Sequence, residues 1–205
     1  MVFYLPQYVK MNPKLILASN SPRRQQLMRE AGFQFTVRTL AVEEDFPPSL
    51  AAAKVAEYLA QKKGQAYLSS MRAEELIITA DTTVVLEDQV LNKPADEEEA
   101  WRMLQTLSGN THQVITGVCL TLSDEQYSFA DTTSVTFRVL MANEIEYYIK
   151  HYQPFDKAGA YAIQEWIGMV GIIRIEGSYS NVVGLPLEKL YQALISRAVI
   201  SLFPA

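Results

Sequence analysis

The sequence is poor in the residues that build disulfide frameworks and zinc centres. It has one cysteine, Cys119, and two histidines, His112 and His151, among 205 residues. One cysteine cannot form an internal disulfide, and Cys119 lies in the apolar run VITGVCLTL without a cationic neighbour, which predicts a buried, unreactive thiol. The histidines fall on no zinc-binding spacing, and the motifs H-E-x-x-H and C-x-x-C do not occur. The sequence therefore argues against a zinc site.

Long apolar runs and an excess of positive charge are also missing. No uninterrupted apolar run reaches the roughly 18 residues of a membrane span, and residues 1–14 lack the basic segment and apolar core of a signal peptide. The net charge is −5, whereas nucleic acids and anionic membranes attract proteins with basic excess. We therefore expect a cytoplasmic protein that binds neither nucleic acid nor a membrane.

Helical and strand-like patterns alternate along the chain. The strand patterns are KLILA, FQFTVRTLA, HQVITGVCLTL, TSVTFRVL and MVGIIRI. The stretch ELIITADTTVVLEDQVLNKP contains two further strand-like runs, of which the second turns near Asp88 and Gln89. The helical patterns are SPRRQQLMREAG, LAAAKVAEYLAQKKGQAYLSS, DEEEAWRMLQTLSGN, NEIEYYIKHY and PLEKLYQALISRAV, whereas EGSYSNVVG is predicted to be a loop. Ser21 and Asp96 are the predicted N-caps of the first and third of these helices, and Pro22 suits the first helical position. Interleaved helices and strands predict an α/β fold with a mixed, twisted sheet flanked by helices. We expect residues 1–13 to form an N-terminal extension and residues 14–205 to form one domain.

The first predicted helix carries two arginines, Arg23 and Arg24, in its first turn. Each cation there costs about 0.3–1 kcal/mol, because a helix N-terminus has partial positive charge. A bound polyphosphate would reverse this cost, since the helix amides, the hydroxyls of Ser19 and Ser21 and two guanidinium groups all favour an anion. The alternative is a pair of surface arginines in salt bridges. The motif G-x-x-x-x-G-K-[ST] is absent, so this is not a Walker loop.

Acidic residues are expected where two predicted strands end. Asp81 follows the apolar stretch ELIITA, where a carboxylate is costly without a nearby cation. Glu44 lies in the patch VEED, beyond the strand pattern FQFTVRTLA. Such acids are usually solvated, but two carboxylates from different strand ends also suit Mg²⁺ or Mn²⁺, with phosphate oxygens and water as further ligands.

Two lysines and one polar loop give weaker signals. Lys63 lies near a helix C-terminus, where a cation is favoured in any case, and Lys93 precedes Pro94 in a loop. Solvated side chains explain both lysines equally well. The loop DKAGAYAIQ contains Tyr161 and Gln164, a mixture that suits recognition of a planar base but is also typical of a surface loop.

Eight short motifs, taken in order, resemble those of the Maf family of nucleoside triphosphate pyrophosphatases. They are LASNSPRR, VEED, LAQKK, ADTTVVL, LNKP, LSGNTHQVITG, FDKAGAYAIQ and GSYSNVVGLPL, and they extend from Leu17 to Leu187. The resemblance implies a fold similar to that of inosine triphosphate pyrophosphatases, with two lobes around a cleft. It also implies hydrolysis between the α- and β-phosphates with a divalent cation, Mg²⁺ or Mn²⁺, giving a nucleoside monophosphate and pyrophosphate.

The resemblance also assigns roles to eight residues of this chain. Among them, Asp81 is expected to be either the general base or a metal ligand. The full assignment is Ser19, Arg23 and Arg24 for triphosphate binding, Gln164 for the base or sugar, Glu44 and Asp81 for the metal and the attacking water, and Lys63 and Lys93 for offsetting phosphate charge.

Within the family, THQVITG and DKAGAYAIQ resemble the branch that acts on dTTP and UTP rather than the 7-methyl-GTP branch. Ala162, Glu165 and Asn92 stand at positions where that branch usually has glycine. A β-carbon at position 162 is expected to strain a backbone with positive φ.

Two other functions remain as alternatives: a nucleotide-binding regulator of cell division without turnover, and a phosphatase that releases orthophosphate. Family members are often dimers, so a homodimer is an expected partner besides the nucleotide.

Overall fold

The computed structural model describes residues 13–197 and contains seven strands, seven α-helices and two short 3₁₀ helices in that range. The strands are β1 (Lys14–Leu17), β2 (Phe35–Val37), β3 (Glu75–Leu86), β4 (Gln89–Leu91), β5 (Thr111–Thr121), β6 (Gln126–Phe137) and β7 (Ile172–Glu176). The helices are α1 (Pro22–Glu30), α2 (Ala52–Gln65), α3 (Glu97–Leu107), α4 (Ala142–Tyr152), α5 (Trp166–Gly171), α6 (Tyr179–Val183) and α7 (Leu187–Ser196). The predicted N-terminal extension lies outside the described residues except for Pro13.

The helix starts follow the expected local signals. Ser21 caps α1, where its hydroxyl oxygen accepts a hydrogen bond from the Arg24 amide at 3.4 Å, and Pro22 occupies the first helical position. Asp96 caps α3 in the same way, accepting from the Glu99 amide at 2.8 Å. Both caps confirm the sequence prediction.

All seven strands form one mixed sheet. Its order is β2-β1-β3-β5-β6-β7, and β4 pairs with β3 as a short hairpin. The β1–β2 and β1–β3 pairs are parallel, whereas the β3–β5, β5–β6 and β6–β7 pairs are antiparallel. The predicted mixed sheet flanked by helices is therefore confirmed.

Two apolar clusters occupy the same face of the sheet at opposite ends of β3 and β5. One cluster packs α1 and α7 against the β1 end, and the other packs α3, α4 and α5 against the β4 end. Val114 belongs to one and Val118 to the other, and side chains four apart on a strand share a face. Helix α2 covers the opposite face through Ala56, which packs on Ile115. The two clusters form the cores of two lobes, and a cleft lies between them.

Helix α2 lies unusually close to the sheet because two glycines permit it. A β-carbon on Gly117 would stand 2.3 Å from the Ala56 carbonyl oxygen, and one on Gly64 would stand 2.5 Å from the Thr121 hydroxyl oxygen. Between these points, the Thr79 hydroxyl donates a hydrogen bond to the Ala60 carbonyl at 2.7 Å. Because Gly117 pairs directly with Asp81, this approach sets the distance between α2 and Asp81.

We expect Gly117→Ala to lower the free energy of unfolding by about 3 kcal/mol, since the added methyl group meets backbone atoms that cannot rotate away. Urea unfolding followed by circular dichroism measures this change. A loss below about 1 kcal/mol, small for overpacking of a tight contact, would show that α2 moves off the sheet at little cost.

Four predicted elements differ from the structure. The strand pattern TSVTFRVL begins at Thr133, whereas β6 begins earlier, at Gln126. The strand pattern FQFTVRTLA forms only the short β2 at the edge of the sheet, and the last half of EGSYSNVVG is not a loop but helix α6, capped by Ser178. The first part of MVGIIRI ends α5 before β7 begins. Short helices and edge strands carry too few periodic residues for their pattern to identify them.

Candidate active site

The eight residues singled out from the sequence line one cleft of about 520 Å³. They come from segments far apart in the chain, and the fold brings every one of them to this surface. They are Ser19, Arg23, Arg24, Glu44, Lys63, Asp81, Lys93 and Gln164. Guanidinium, ammonium and carboxylate groups therefore meet in one pocket, as the sequence predicted.

Asp81 lies within a strand rather than at the end of one, which corrects the sequence expectation. Strand β3 pairs with β5 without interruption from Ile77 to Val85, so Asp81 is in the middle of the ladder. It is nevertheless next to the cleft, because the parallel neighbour β1 ends at Leu17, opposite Ile78. Asp81 is only 8 % exposed to solvent.

A row of alternating charges crosses this side of the cleft. The Lys63 ammonium lies 2.5 Å from Asp81 Oδ1 and 2.7 Å from Glu44 Oε1. Lys93 Nζ lies 2.9 Å from Glu44 Oε2. Lys63 leaves α2 in its last turn, as predicted, and Lys93 comes from the loop after β4. The four charges thus form one connected network.

The network keeps Glu44 ionised. Burial acts to raise the pKa of the Glu44 carboxyl, but the hydrogen bonds and charges of Lys63 and Lys93 outweigh burial and lower that pKa to about 2. The Glu44 side chain is 43 % exposed, so it closes the network on the solvent side. Glu44 is therefore an anion throughout the neutral pH range.

The two arginines of α1 differ in their contacts. Arg23 makes one long ion pair, with its Nη1 3.6 Å from Asp156 Oδ2 across the cleft. Arg24 donates from Nε to the Gly184 carbonyl at 2.7 Å, from Nη1 to the Ala80 carbonyl at 2.8 Å, and from Nη2 to the Thr82 hydroxyl at 2.9 Å. Sequence reasoning treated the two arginines alike, whereas only Arg23 leaves most of its donors facing the cleft.

The groups around Arg24 stabilise its positive charge. Desolvation lowers the pKa of the Arg24 guanidinium, while the negative charge of Asp81 opposes that effect. Carbonyl oxygens of two segments also accept its hydrogen bonds, so the cation at the start of α1 is stabilised by groups outside the helix. That Arg24 binds a triphosphate stays a prediction.

Ser19 is a buried hydroxyl at the start of the cleft. Its oxygen accepts from the Ser21 amide at 3.2 Å and from Arg24 Nη1 at 3.4 Å. Its own hydrogen has no acceptor among the described residues, so it is free to donate to an anion in the cleft. Gln164 lies exposed on the far side of the same cleft.

The far side contains a second charge network that sequence reasoning missed. Lys157 is 7 % exposed and lies 2.6 Å from Asp156 Oδ1 and 3.4 Å from Glu165 Oε1. Glu165 also accepts a hydrogen bond from the Tyr148 hydroxyl, and burial together with this contact raises the pKa of Tyr148. The charged pair Asp156-Lys157 next to Gly159 was visible in the sequence, but its partner Glu165 was not predictable from spacing.

The strain expected at Ala162 does not occur. Within residues 13–197, the non-glycine residues with positive φ are Glu87, Gln153 and Ala160. The Ala162 amide instead donates to the Tyr148 hydroxyl at 3.2 Å. The β-carbon at position 162 is therefore compatible with the cleft.

The carboxylates fit a hard divalent cation only in part. Asp81 Oδ1 accepts a hydrogen bond from the Lys63 ammonium, whereas Asp81 Oδ2 has no hydrogen-bond partner among residues 13–197. Both oxygens of Glu44 are bound by lysines. The described part of the chain holds no group of three or more histidine, cysteine, aspartate and glutamate side chains placed to bind a metal. The donor set suits Mg²⁺ or Mn²⁺ held by one carboxylate oxygen, with phosphate oxygens and waters as the other ligands.

Cys119 and His112 lie in the core, whereas His151 is exposed on α4. Cys119 is buried, and burial raises the pKa of its thiol, as expected for an unreactive cysteine. His112 is buried with its Nε2 2.7 Å from the Tyr161 hydroxyl, and burial lowers the pKa of the imidazole to about 4.

Between residues 13 and 197, no helix has the length and apolar character needed to cross a bilayer.

Comparison with known proteins places this cleft in context. The sequence model of the family described as Maf-like protein matches residues 14–197. The dTTP/UTP pyrophosphatase of Bacteroides thetaiotaomicron is 52 % identical over 182 residues, which are 88 % of this chain and 94 % of that protein. The dTTP/UTP pyrophosphatase of Phocaeicola vulgatus is 53 % identical over the same shares of both chains.

A solved structure shares the fold. The Staphylococcus aureus Ham1 protein superposes on 90 % of this chain and 98 % of its own, with a TM-score of 0.52 and 16 % sequence identity. At that identity the likeness concerns the architecture alone. The family match over nearly all of the described residues and the identity of about half with curated relatives lead to one conclusion: the chain belongs to the Maf family.

Proposed function

We propose that this protein hydrolyses dTTP and UTP between the α- and β-phosphates, releasing a nucleoside monophosphate and pyrophosphate. The observation that carries the proposal is the convergence of Asp81, Glu44 and two lysines with the N-terminus of α1 in one cleft of about 520 Å³. The names of the relatives at about 50 % identity support the same substrates. A protein that only binds nucleotides needs the arginines but has little use for the acidic pair.

The triphosphate would lie between the start of α1 and the lysines. The Ser19 hydroxyl and the Arg23 guanidinium would donate to phosphate oxygens, with the dipole of α1 favouring the same negative charge. Lys63 and Lys93 would offset the charge that develops on the leaving pyrophosphate. Gln164, on the opposite side, would contact the base or the sugar.

The attacking water would be activated at Asp81. Because Lys63 fixes Oδ1, only Oδ2 remains to accept the proton of the water or to hold the cation that binds this water. Asp81 is therefore general base or metal ligand, with one oxygen for either task. When bound, Mg²⁺ or Mn²⁺ would neutralise phosphate charge and lower the pKa of its water. Glu44 would join as a ligand only after one lysine releases an oxygen.

Product analysis tests the proposal. Purified protein is incubated with dTTP, UTP or 7-methyl-GTP in the presence of Mg²⁺ or Mn²⁺, and the products are separated by ion-exchange chromatography. We expect pyrophosphate and monophosphate from dTTP and UTP, at a higher rate than from 7-methyl-GTP. Release of orthophosphate would instead identify a phosphatase, and absence of turnover on all three would favour a nucleotide-binding regulator.

We expect Arg23→Ala to raise the KM for dTTP about tenfold, the loss of roughly one charge-assisted contact to phosphate. Its melting temperature should change by less than about 2 °C, because the exposed ion pair with Asp156 and the unfavourable position at the helix start are each worth at most about 1 kcal/mol and act in opposite directions. Steady-state kinetics and thermal unfolding measure the two effects. A clear drop in melting temperature with unchanged KM would favour the salt-bridge interpretation of Arg23.

A further inference from the structure

Strand β3 continues past the end of its parallel neighbour. The β1 ladder ends with Leu17 opposite Ile78, and the Ala18 amide donates to the Ile78 carbonyl at 2.9 Å. Strand β4 begins to pair only at Val84. Carbonyl groups two residues apart on a strand point to the same side, so the Ala80 carbonyl faces a gap where no strand follows. A buried carbonyl without a hydrogen-bond donor destabilises the folded state.

The Arg24 guanidinium fills this gap. It donates to the Ala80 carbonyl at 2.8 Å, where the next amide of β1 would have stood, and to the Thr82 hydroxyl at 2.9 Å. Ala80 and Thr82 are the residues on either side of Asp81. A third hydrogen bond, from Nε to the Gly184 carbonyl at 2.7 Å, fixes the guanidinium against the end of α6.

The direction of the side chains separates this grip from the reacting group. Asp81 pairs with Gly117 on the face that α2 covers, and Thr82 points to the opposite face because successive strand residues alternate. There the Thr82 hydroxyl also meets the Thr116 hydroxyl at 2.9 Å. Arg24 therefore binds β3 at its open edge and on the face to which Thr82 points. The Asp81 carboxylate contacts Lys63 on the opposite face, which α2 covers.

The donors of Arg24 are nearly exhausted by these contacts. Four of its five N–H groups donate to protein atoms, the fourth to the Ser19 hydroxyl oxygen at 3.4 Å. Arg23, by contrast, has a single ion pair at 3.6 Å. We propose that Arg24 is a positioning residue that holds the Ala80–Thr82 segment, and with it Asp81, and that Arg23 is the arginine of the pair that binds phosphate. This inference rests on the proposed function.

The variant Arg24→Lys tests the inference, because lysine keeps the charge but cannot span the acceptors of three segments. Two quantities are measured: kcat for pyrophosphate release from dTTP, and the Kd of α,β-imido-dTTP, which is not hydrolysed. We expect kcat to fall about 100-fold, the effect of a displacement of about 1 Å at a catalytic group, with the Kd within threefold of the wild-type value. A Kd weakened tenfold or more, or a kcat within threefold of wild type, would overturn the inference.

The matched control is Arg29→Lys, an exposed arginine later in α1 that contacts Gln25 at 3.1 Å. We expect its kcat and Kd to equal those of the wild type. Thermal unfolding accompanies the kinetics, and Arg24→Gln replaces Arg24→Lys if the latter is unfolded at the assay temperature.

A second measurement does not depend on activity. Deuterium uptake is followed on the peptide that covers residues 79–84, where Arg24→Lys should exchange faster than the wild type and Arg29→Lys should not. Unchanged uptake in Arg24→Lys would overturn the inference. If the wild-type protein itself releases no pyrophosphate, the proposed function fails, and the uptake result still decides whether Arg24 holds the strand.

Discussion

Asp81→Asn is expected to lower kcat for dTTP hydrolysis by about 10³-fold or more, the range that removal of a general base produces. The amide has nearly the same shape as the carboxylate but can neither accept the proton of the attacking water nor bind a divalent cation strongly. Its carbonyl oxygen still accepts a hydrogen bond from Lys63, so the melting temperature should stay close to that of the wild type. Single-turnover kinetics and thermal unfolding measure the two effects.

The control for this variant is Asp131→Asn. Asp131 is also a strand aspartate with a lysine partner, Lys189 at 2.6 Å, but it lies on β6 and does not line the cleft. Its replacement should leave kcat unchanged. Wild-type turnover by Asp81→Asn would remove Asp81 from the mechanism.

Lys63→Met should have the second largest effect, with kcat lower by about 100-fold. Methionine keeps the length of the side chain but removes the ammonium group that joins Asp81 to Glu44. The two carboxylates are then left without their shared counter-ion, and the pKa of Glu44 should rise from about 2 toward its ordinary value because one of its two lysines is lost. Steady-state kinetics across pH measures both consequences.

Lys62→Met provides the comparison for this variant. Lys62 is the preceding residue in the same helical turn and pairs with Asp45 on the surface. Its loss should change kcat by less than twofold. Equal activity in the Lys62 and Lys63 variants would show that the charge between Asp81 and Glu44 is dispensable.

The sequence predicted those parts of the fold that local signals determine. Ser21 and Asp96 were identified as caps because a side-chain oxygen before a helical pattern acts on amides only three residues away. The five-residue helix α6 was missed, since one turn and a half carries no periodicity to detect. The position of Asp81 inside β3 was missed for a different reason: β3 continues past Asp81 because it pairs with β5, and that partner lies in a distant part of the chain.

The candidate site was predictable as a set of residues but not as a geometry. The motifs named all eight residues, and the fold places them on one surface. The contact between Lys63 and Asp81 depends on how closely α2 approaches the sheet, which Gly117 and Gly64 permit from distant positions. The difference in contacts between Arg23 and Arg24 depends likewise on a carbonyl group of β3 that no local pattern reveals.

One backbone hydrogen bond joins two segments that line the cleft. The Gly159 amide donates to the Asn92 carbonyl at 3.2 Å, next to Lys93 on one chain segment and to the Lys157–Gln164 segment on the other. A β-carbon on Gly159 would stand 2.9 Å from Val84, so this junction sits directly on β3. The loop that carries Lys93 and the segment that carries Gln164 are therefore tied together through their backbones, so we expect a displacement of either one to be transmitted to the other.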